Sequence, residues 1–251
     1  MRVITLLTDF GTRDSYVGEI RGRLLTLAPD AVLADITHEI APGDVPAGAY
    51  VLERSWRAFP AGTIHLAVVD PGVGSERRGL ALRAGGHSFV GPDNGLFTGV
   101  ADRLEAVVDL PVPVGAAATF HGRDVFAPAA AALAAGVPLD ALGIPLQGDL
   151  VRLGRPQPKS DGASLIGEVV YIDRFGTLVT NLAEGASGPI EVAGTAVPLR
   201  RTFSDVASGE LVAMKGSGGT IEIALRDGSA AEQLGVGVGC RVRTRRVPDA
   251  V

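Results

Sequence analysis

The stretch "VVDPGVGSERRGLALRA", residues 68–84, decides how the chain is read. An apolar run ends in Asp70, a Pro-Gly turn follows, and Gly72, Gly74 and Gly79 punctuate a loop carrying two adjacent arginines, Arg77 and Arg78. A glycine-rich loop cradles phosphate when G-x-G-x-x-G opens a helix, or when G-x-x-x-x-G-K-[ST] supplies a lysine. Here the spacing is G-x-G-x-x-x-x-G, lysine is absent, and Glu76 sits where an anion would be repelled. The following residues, "GLALRA" (79–84), read as another strand and not as a helix. The loop is a strand-to-strand connection whose polar side chains carry its interest.

Working outward, "VITLLT" (3–8), "AVLADIT" (31–37) and "IHLAVVD" (64–70) are near-continuous apolar runs of the kind buried in a parallel sheet. Between the first two, Val17, Ile20, Leu24 and Leu27 share one helical face after Asp14, which is expected to cap the helix. Between the second and third, "DVPAGAYVLERSW" (44–56) offers an Asp cap and an early proline. This βαβαβ order predicts an α/β layer domain with a mainly parallel central sheet over residues 1–150. An Ala-rich helix, "VFAPAAAALAAGV" (125–137), closes it, with Asp124 expected at its cap. Residues 151–164, rich in Pro, Gly and polar side chains, read as a linker. Beyond them short β-like runs punctuated by glycine predict an all-β barrel domain over 165–251.

Composition narrows the function classes. The 251 residues include 23 Lys and Arg against 28 Asp and Glu, for a net charge of −5, so no basic field for nucleic acid is expected. A lone cysteine, Cys240, excludes a disulfide framework or a Cys-based metal site and fits a reducing cytoplasm. The N-terminal apolar run reaches Asp9 too early for a signal peptide, and the Ala-rich run is too short to span a bilayer. A soluble protein without membrane partners is expected.

In open α/β sheets, ligands bind beyond the carboxyl ends of the strands. Those ends carry Asp9, His38, Asp70 and, after "HSFV", Asp93 and Asn94. Several acidic groups along one crevice suit a polar or cationic ligand. Read singly, each also has a structural role: Asp before Pro-Gly builds turns, "PDNG" is a strong turn signal, and His38 can close a strand end. His121, in "ATFHGRDVFAPAAAALA" (118–134), stands just ahead of a helix, with an imidazole able to titrate near neutrality.

Together, "TDFGTRDSYVGEIRG" (8–22), "DITHEIAPGDVPAGAYVL" (35–52), "VVDPGVGSERRGL" (68–80), "GPDNGL" (91–96), "TFHGRDVFAP" (119–128), "YIDRFGTLVTNL" (171–182), "TFSDV" (202–206) and "GTIEIAL" (219–225) resemble the S-adenosyl-L-methionine hydroxide adenosyltransferase family, related in fold to the fluorinases and chlorinases. The matches run in order over essentially the whole chain. The resemblance implies an α/β domain followed by a β-barrel, and a homotrimer with each site between one subunit's N-domain and a neighbour's C-domain. It also implies hydrolysis of S-adenosyl-L-methionine to adenosine and L-methionine, with no cofactor and no metal. The family's Asp-Arg-His set falls on Asp70, Arg77 and His121, and Arg77 has the family's offset from the Asp. Asp9 matches the carboxylate on the ribose hydroxyls, while Asp173, Phe175, Asn181, Phe203, Ser217 and Glu222 lie in motifs around the base and methionine ends. Thr177 departs from the family, whose members often carry Asn after the Phe-Gly pair.

The implied chemistry is self-consistent. A sulfonium leaves as a neutral thioether and needs no general acid, so the requirement is a water held in line with C5′ and relieved of a proton. Asp70 and His121 can orient that water or accept from it, and Arg77 can stabilise developing hydroxide and hold the Asp at two points. A halide-dependent adenosyl-halide synthase is the alternative on the same scaffold, but a carboxylate beside the nucleophile repels halide. A non-catalytic adenosine or S-adenosylmethionine sensor would dispense with the Asp-Arg-His set.

Overall fold

The computed structural model describes residues 2–162, 164–183 and 186–246. The outer residues of the expected barrel domain, 247–251, and positions 163, 184 and 185 inside the expected linker and barrel lie outside this description. The chain divides into two compact units, one ending at Leu153 and the other beginning at Gly154.

In the first unit, β1 (Val3–Thr8), α1 (Tyr16–Leu27), β2 (Val32–Thr37), α2 (Val45–Ser55) and β3 (Ile64–Val68) realise the βαβαβ order. Next come β4 (Gly79–Ala84), β5 (His87–Pro92), β6 (Leu104–Leu110), α3 (Ala127–Ala134) and β7 (Ile144–Pro145). The sheet order is β2-β1-β3-β5-β4-β6-β7, with β1 parallel to β2 and β3, and β3 parallel to β5. "GLALRA" is the strand β4, paired antiparallel to both β5 and β6. The sheet is therefore mixed, with most of its strands running one way.

Alternation along the strands splits the core into two layers. Ile4, Leu6, Ile64 and Leu66 pack with Ile20 and Leu24 of α1 and Ala130 and Leu133 of α3. Leu7, Ala67, Val69, Leu80 and Leu82 pack on the other face with Ala49 and Leu52 of α2 and with Trp56. Helices on both faces explain why β1 and β3 read as unbroken apolar runs. β2 lies at the sheet's edge, so it is partly exposed where its sequence suggested full burial.

Two expected caps are corrected. Asp44 caps α2 as anticipated, accepting from Ala47 N at 2.9 Å. The N-cap of α1, however, is Ser15 and not Asp14, and its hydroxyl donates to Glu19 across the first turn. Asp124 is not a cap, because residues 122–126 form a π-helical turn continuous with α3. Its carboxylate instead takes Arg123 and, at 2.9 Å, the N–H of Ala117.

The second unit comprises β8 (Lys159–Asp161), β9 (Ser164–Ile172), β10 (Leu178–Ala183), β11 (Ala186–Val192), β12 (Thr195–Val197), β13 (Leu211–Lys215), β14 (Thr220–Leu225), the short α4 (Ala230–Leu234) and β15 (Arg241–Arg246). The order is β12-β11-β15-β9-β10-β14-β13, antiparallel throughout, with β8 added on β9. Ala213 of β13 bonds across to Pro198 and Arg200 just after β12, so the sheet nearly closes into a barrel. Val169, Leu178, Leu182, Ile190, Val197 and Ile223 fill its interior.

Candidate active site

Three separate segments converge beyond the carboxyl ends of the first unit's strands. Asp70 follows β3, Arg77 closes the loop into β4, and His121 immediately precedes the π-helical turn. Arg77 Nε donates to Asp70 Oδ1 at 2.9 Å and Oδ2 at 3.0 Å, and its Nη2 completes a two-point ion pair with the same carboxylate. The same Nη2 lies 3.0 Å from His121 Nδ1. The side chains of Asp70 and Arg77 are only 4% and 10% exposed, so the pair is shielded from water.

The loop geometry explains its glycines. Gly74 has φ +77°, and a Cβ there would meet the carbonyl oxygen of Ala118 at 2.5 Å. The loop after β3 can thus lie directly against the segment that delivers His121. Gly79 leaves room for the Phe126 ring, over which the Arg77 guanidinium sits at 5.1 Å. Asn94 donates to Val69 O at 2.8 Å and steadies the strand end beside Asp70.

Charge states follow from this arrangement. Burial pushes the His121 pKa below the ordinary histidine value; Arg77 adds to the shift, and Asp70 and Asp124 oppose it. Arginine can only donate, so Nδ1 of His121 must accept and the neutral ring carries its proton on Nε2. Burial raises the pKa of Asp9, against the N–H of Gly43, which donates to its Oδ2 at 2.8 Å; the Asp70 charge raises it further.

Arg78, next to Arg77, has a different task. It pairs with Asp93 and donates to the carbonyls of Gln147 and Asp149, both at 2.6 Å, while Asp93 accepts from Val151 N at 2.9 Å. Asp93 is therefore engaged in holding residues 147–151.

On the second unit, Asp173, Phe175, Phe203 and Glu222 line a cleft of about 800 Å³ together with Thr177 and Arg226. Asp173 Oδ1 accepts from Phe175 N and Thr177 N, both at 2.9 Å, forming a turn in which Phe175 is 71% exposed. Thr177, the departure from the family pattern, thus sits in the cleft wall, mostly buried. Two candidates fall elsewhere. Asn181 lines a separate groove with Lys159 and Arg241, and its amide is spent on Glu168 N and Pro156 O, both at 2.8 Å. Ser217 is exposed in the turn between β13 and β14 and is not part of the cleft lining. Sequence reading missed Phe126 beneath Arg77 and Arg226 in the cleft. Arg226 stands directly after the apolar run "GTIEIAL", the kind of strand-end position that was informative in the first unit.

Among the described residues no helix is long and apolar enough to cross a membrane, and no cluster of three or more His, Cys, Asp or Glu is arranged to hold a metal.

The family models for the SAM hydroxide adenosyltransferase N-terminal and C-terminal domains match residues 4–143 and 167–243. The chain is 42% identical to an (R)-S-adenosyl-L-methionine hydrolase of Thermus thermophilus, covering 97% of this chain and 99% of that protein. It is 43% identical to another of the same name from Salinispora arenicola, over 96% of each chain. A fluorinase of Nocardia brasiliensis is 30% identical over 97% of this chain and 96% of its own. A solved structure of an uncharacterized conserved protein from Thermotoga maritima superposes with a TM-score of 0.88 at 32% identity, covering 97% and 100% of the two chains.

Proposed function

Because the chain belongs to the SAM hydroxide adenosyltransferase family, we propose that it hydrolyses S-adenosyl-L-methionine to adenosine and L-methionine. The carrying observation is the closed cluster in which Arg77 bridges Asp70 and His121. A water oxygen attacks C5′ of the ribose, the C5′–S bond breaks, and its electron pair returns to sulfur as the methionine thioether. The water's proton must go to a base. Neutral His121 has Nδ1 occupied by Arg77 and a proton on Nε2, so it serves as a donor to the nucleophile's oxygen, and Asp70 takes the proton. Arg77 fixes both groups and offsets the negative charge of hydroxide as it forms.

Asp9 holds the ribose hydroxyls, and the cleft with Asp173, Phe175, Phe203 and Glu222 receives the base and methionine ends. Asn181 and Ser217, matched by the same resemblance to the base and methionine ends, lie outside that cleft lining, and Asn181 bonds Glu168 N and the Pro156 carbonyl. The homotrimer and the cytoplasmic location implied by the resemblance and the lone cysteine belong to the same proposal. Sedimentation velocity tests the first, with a species of three times the chain mass expected and a monomer counting against it. Cell fractionation tests the second.

The relatives' names carry an R prefix, and the sulfonium of the substrate is a stereocentre. The decisive experiment is therefore incubation with each sulfonium epimer, with and without chloride, followed by chromatography. Adenosine independent of chloride, faster from the R epimer, is expected. 5′-Chloro-5′-deoxyadenosine would make the chain a halide-dependent synthase, and binding without any product would make it a sensor.

A further inference from the structure

We propose that His38 is a positioning residue that sets Asp9 for the ribose hydroxyls, an inference that rests on the reading of Asp9 as the ribose-binding carboxylate. His38 follows directly on β2 and is 5% exposed. Its Nε2 lies 3.2 Å from Asp35 Oδ1, within ion-pair range though off the line of a hydrogen bond, and Asp35 in turn pairs with Arg21 of α1. A ring lone pair facing that carboxylate would be repelled, so Nε2 carries a proton, and in the neutral ring Nδ1 is then the acceptor. Nδ1 sits 2.8 Å from Thr8 Oγ1, which therefore donates its hydroxyl proton to the ring. The Thr8 oxygen then accepts from Phe10 N at 3.3 Å, and the backbone carbonyl of His38 accepts from Gly11 N at 2.7 Å.

One residue thus grips both ends of the turn Thr8–Gly11, and Asp9 lies between the two grips. The Asp9 carboxylate is itself bonded to Gly43 N, in the same β2-to-α2 connection that carries His38. The register between the two loops decides where that carboxylate stands. The strand ladder on the β2 side is irregular at Leu6/Leu7 and ends at the pair Leu7 with Thr37, so beyond it the register rests on two bonds to His38: Gly11 N to its carbonyl, and Thr8 Oγ1 to its ring. The imidazole is the side-chain half of that hold, and it acts at the residue next to Asp9.

The test compares two ligands that differ only at the hydroxyls Asp9 would hold. Wild-type protein should bind adenosine more tightly than 2′,3′-dideoxyadenosine by calorimetry. In His38→Ala, confirmed folded by circular dichroism, the adenosine Kd should rise about tenfold, the scale of one or two hydrogen bonds, while the dideoxyadenosine Kd shifts less than about twofold. Turnover should show the same split, with KM raised and kcat nearly kept. His38→Asn should restore most of the affinity, since its amide oxygen can accept the Thr8 proton. Should His38→Ala fail to fold, Thr8→Val removes the same bond from the other partner and should show the same ligand-selective loss. Equal weakening of both ligands, or of neither, overturns the proposal. If the wild-type protein does not distinguish the two ligands, the ribose reading of Asp9 is what has failed, and the proposal falls with it.

Discussion

At the scale of single residues, the arrangement around Arg77 assigns separable tasks to its neighbours. Asp70→Asn keeps the shape of the side chain and removes its capacity to take a proton. It should lower kcat by about 10²-fold or more while adenosine affinity stays near that of the wild type. Turnover within a fewfold of wild type would remove Asp70 from the proton transfer. His121 is held neutral by burial and by the adjacent guanidinium, so its titration midpoint should fall below the ordinary value of ~6.5. An NMR titration of its ring proton checks this, and a midpoint at or above the ordinary value would contradict the combined effect of burial and Arg77. These candidates were visible in the sequence as polar residues at the ends of apolar runs. Their charge states were not, because a ring's tautomer depends on a partner 44 residues away.

At the scale of elements, the loop from β3 to β4 and the segment after β7 are each held by specific close contacts. Gly74→Ala places a side chain at positive φ and a Cβ against the Ala118 carbonyl, at a cost of about 1–3 kcal/mol from the backbone alone. A lower Tm together with reduced kcat is expected, since the loop and the His121 segment would be pushed apart. Unchanged turnover would show that their contact does not matter. Arg78→Ala strands the buried Asp93 carboxylate and frees two carbonyls, which should cost about 2 kcal/mol or more. Hydrogen exchange should then accelerate at the amides of residues 147–151. Hydrophobic periodicity revealed most of the long elements, because it records which face meets the core. The caps of α1 and α3 were misread because Asp14 and Asp124 carry the right chemistry one position or one turn away from where the backbone begins to wind.

At the scale of the molecule, the first unit buries a polar chain between its sheet and α2. His65 Nδ1 lies 2.7 Å from Thr5 Oγ1, His65 Nε2 lies 3.1 Å from His87 Nδ1, and the His65 ring stacks on Phe89. Burial, with a smaller push from His87, lowers the His65 pKa to about 3, and burial lowers that of His87 as well. The folded state therefore keeps His65 neutral where the unfolded chain would protonate it. This contribution to stability is complete above the unfolded value of ~6.5 and is lost as pH falls towards 3, by up to ~1.4 kcal/mol per pH unit. Urea unfolding between pH 7 and 4 should show a steeper loss for the wild type than for His65→Gln. Parallel pH profiles would exclude His65 as the source.

By itself the sequence determined the βαβαβ order of the first unit, the change from an α/β to an all-β pattern, and the residue types available at the strand ends. All of these are written locally, in the period of apolar residues and in turn chemistry. Tertiary structure alone decided that Arg77 joins Asp70 to His121 while Arg78 staples residues 147–151, that Asn181 bonds the backbone of Glu168 and Pro156, and that His38 grips the turn bearing Asp9. Neighbouring arginines, or two similar polar residues at strand ends, look alike along the chain. They acquire different roles only when folding brings a distant donor or acceptor within hydrogen-bond reach of one and not of the other.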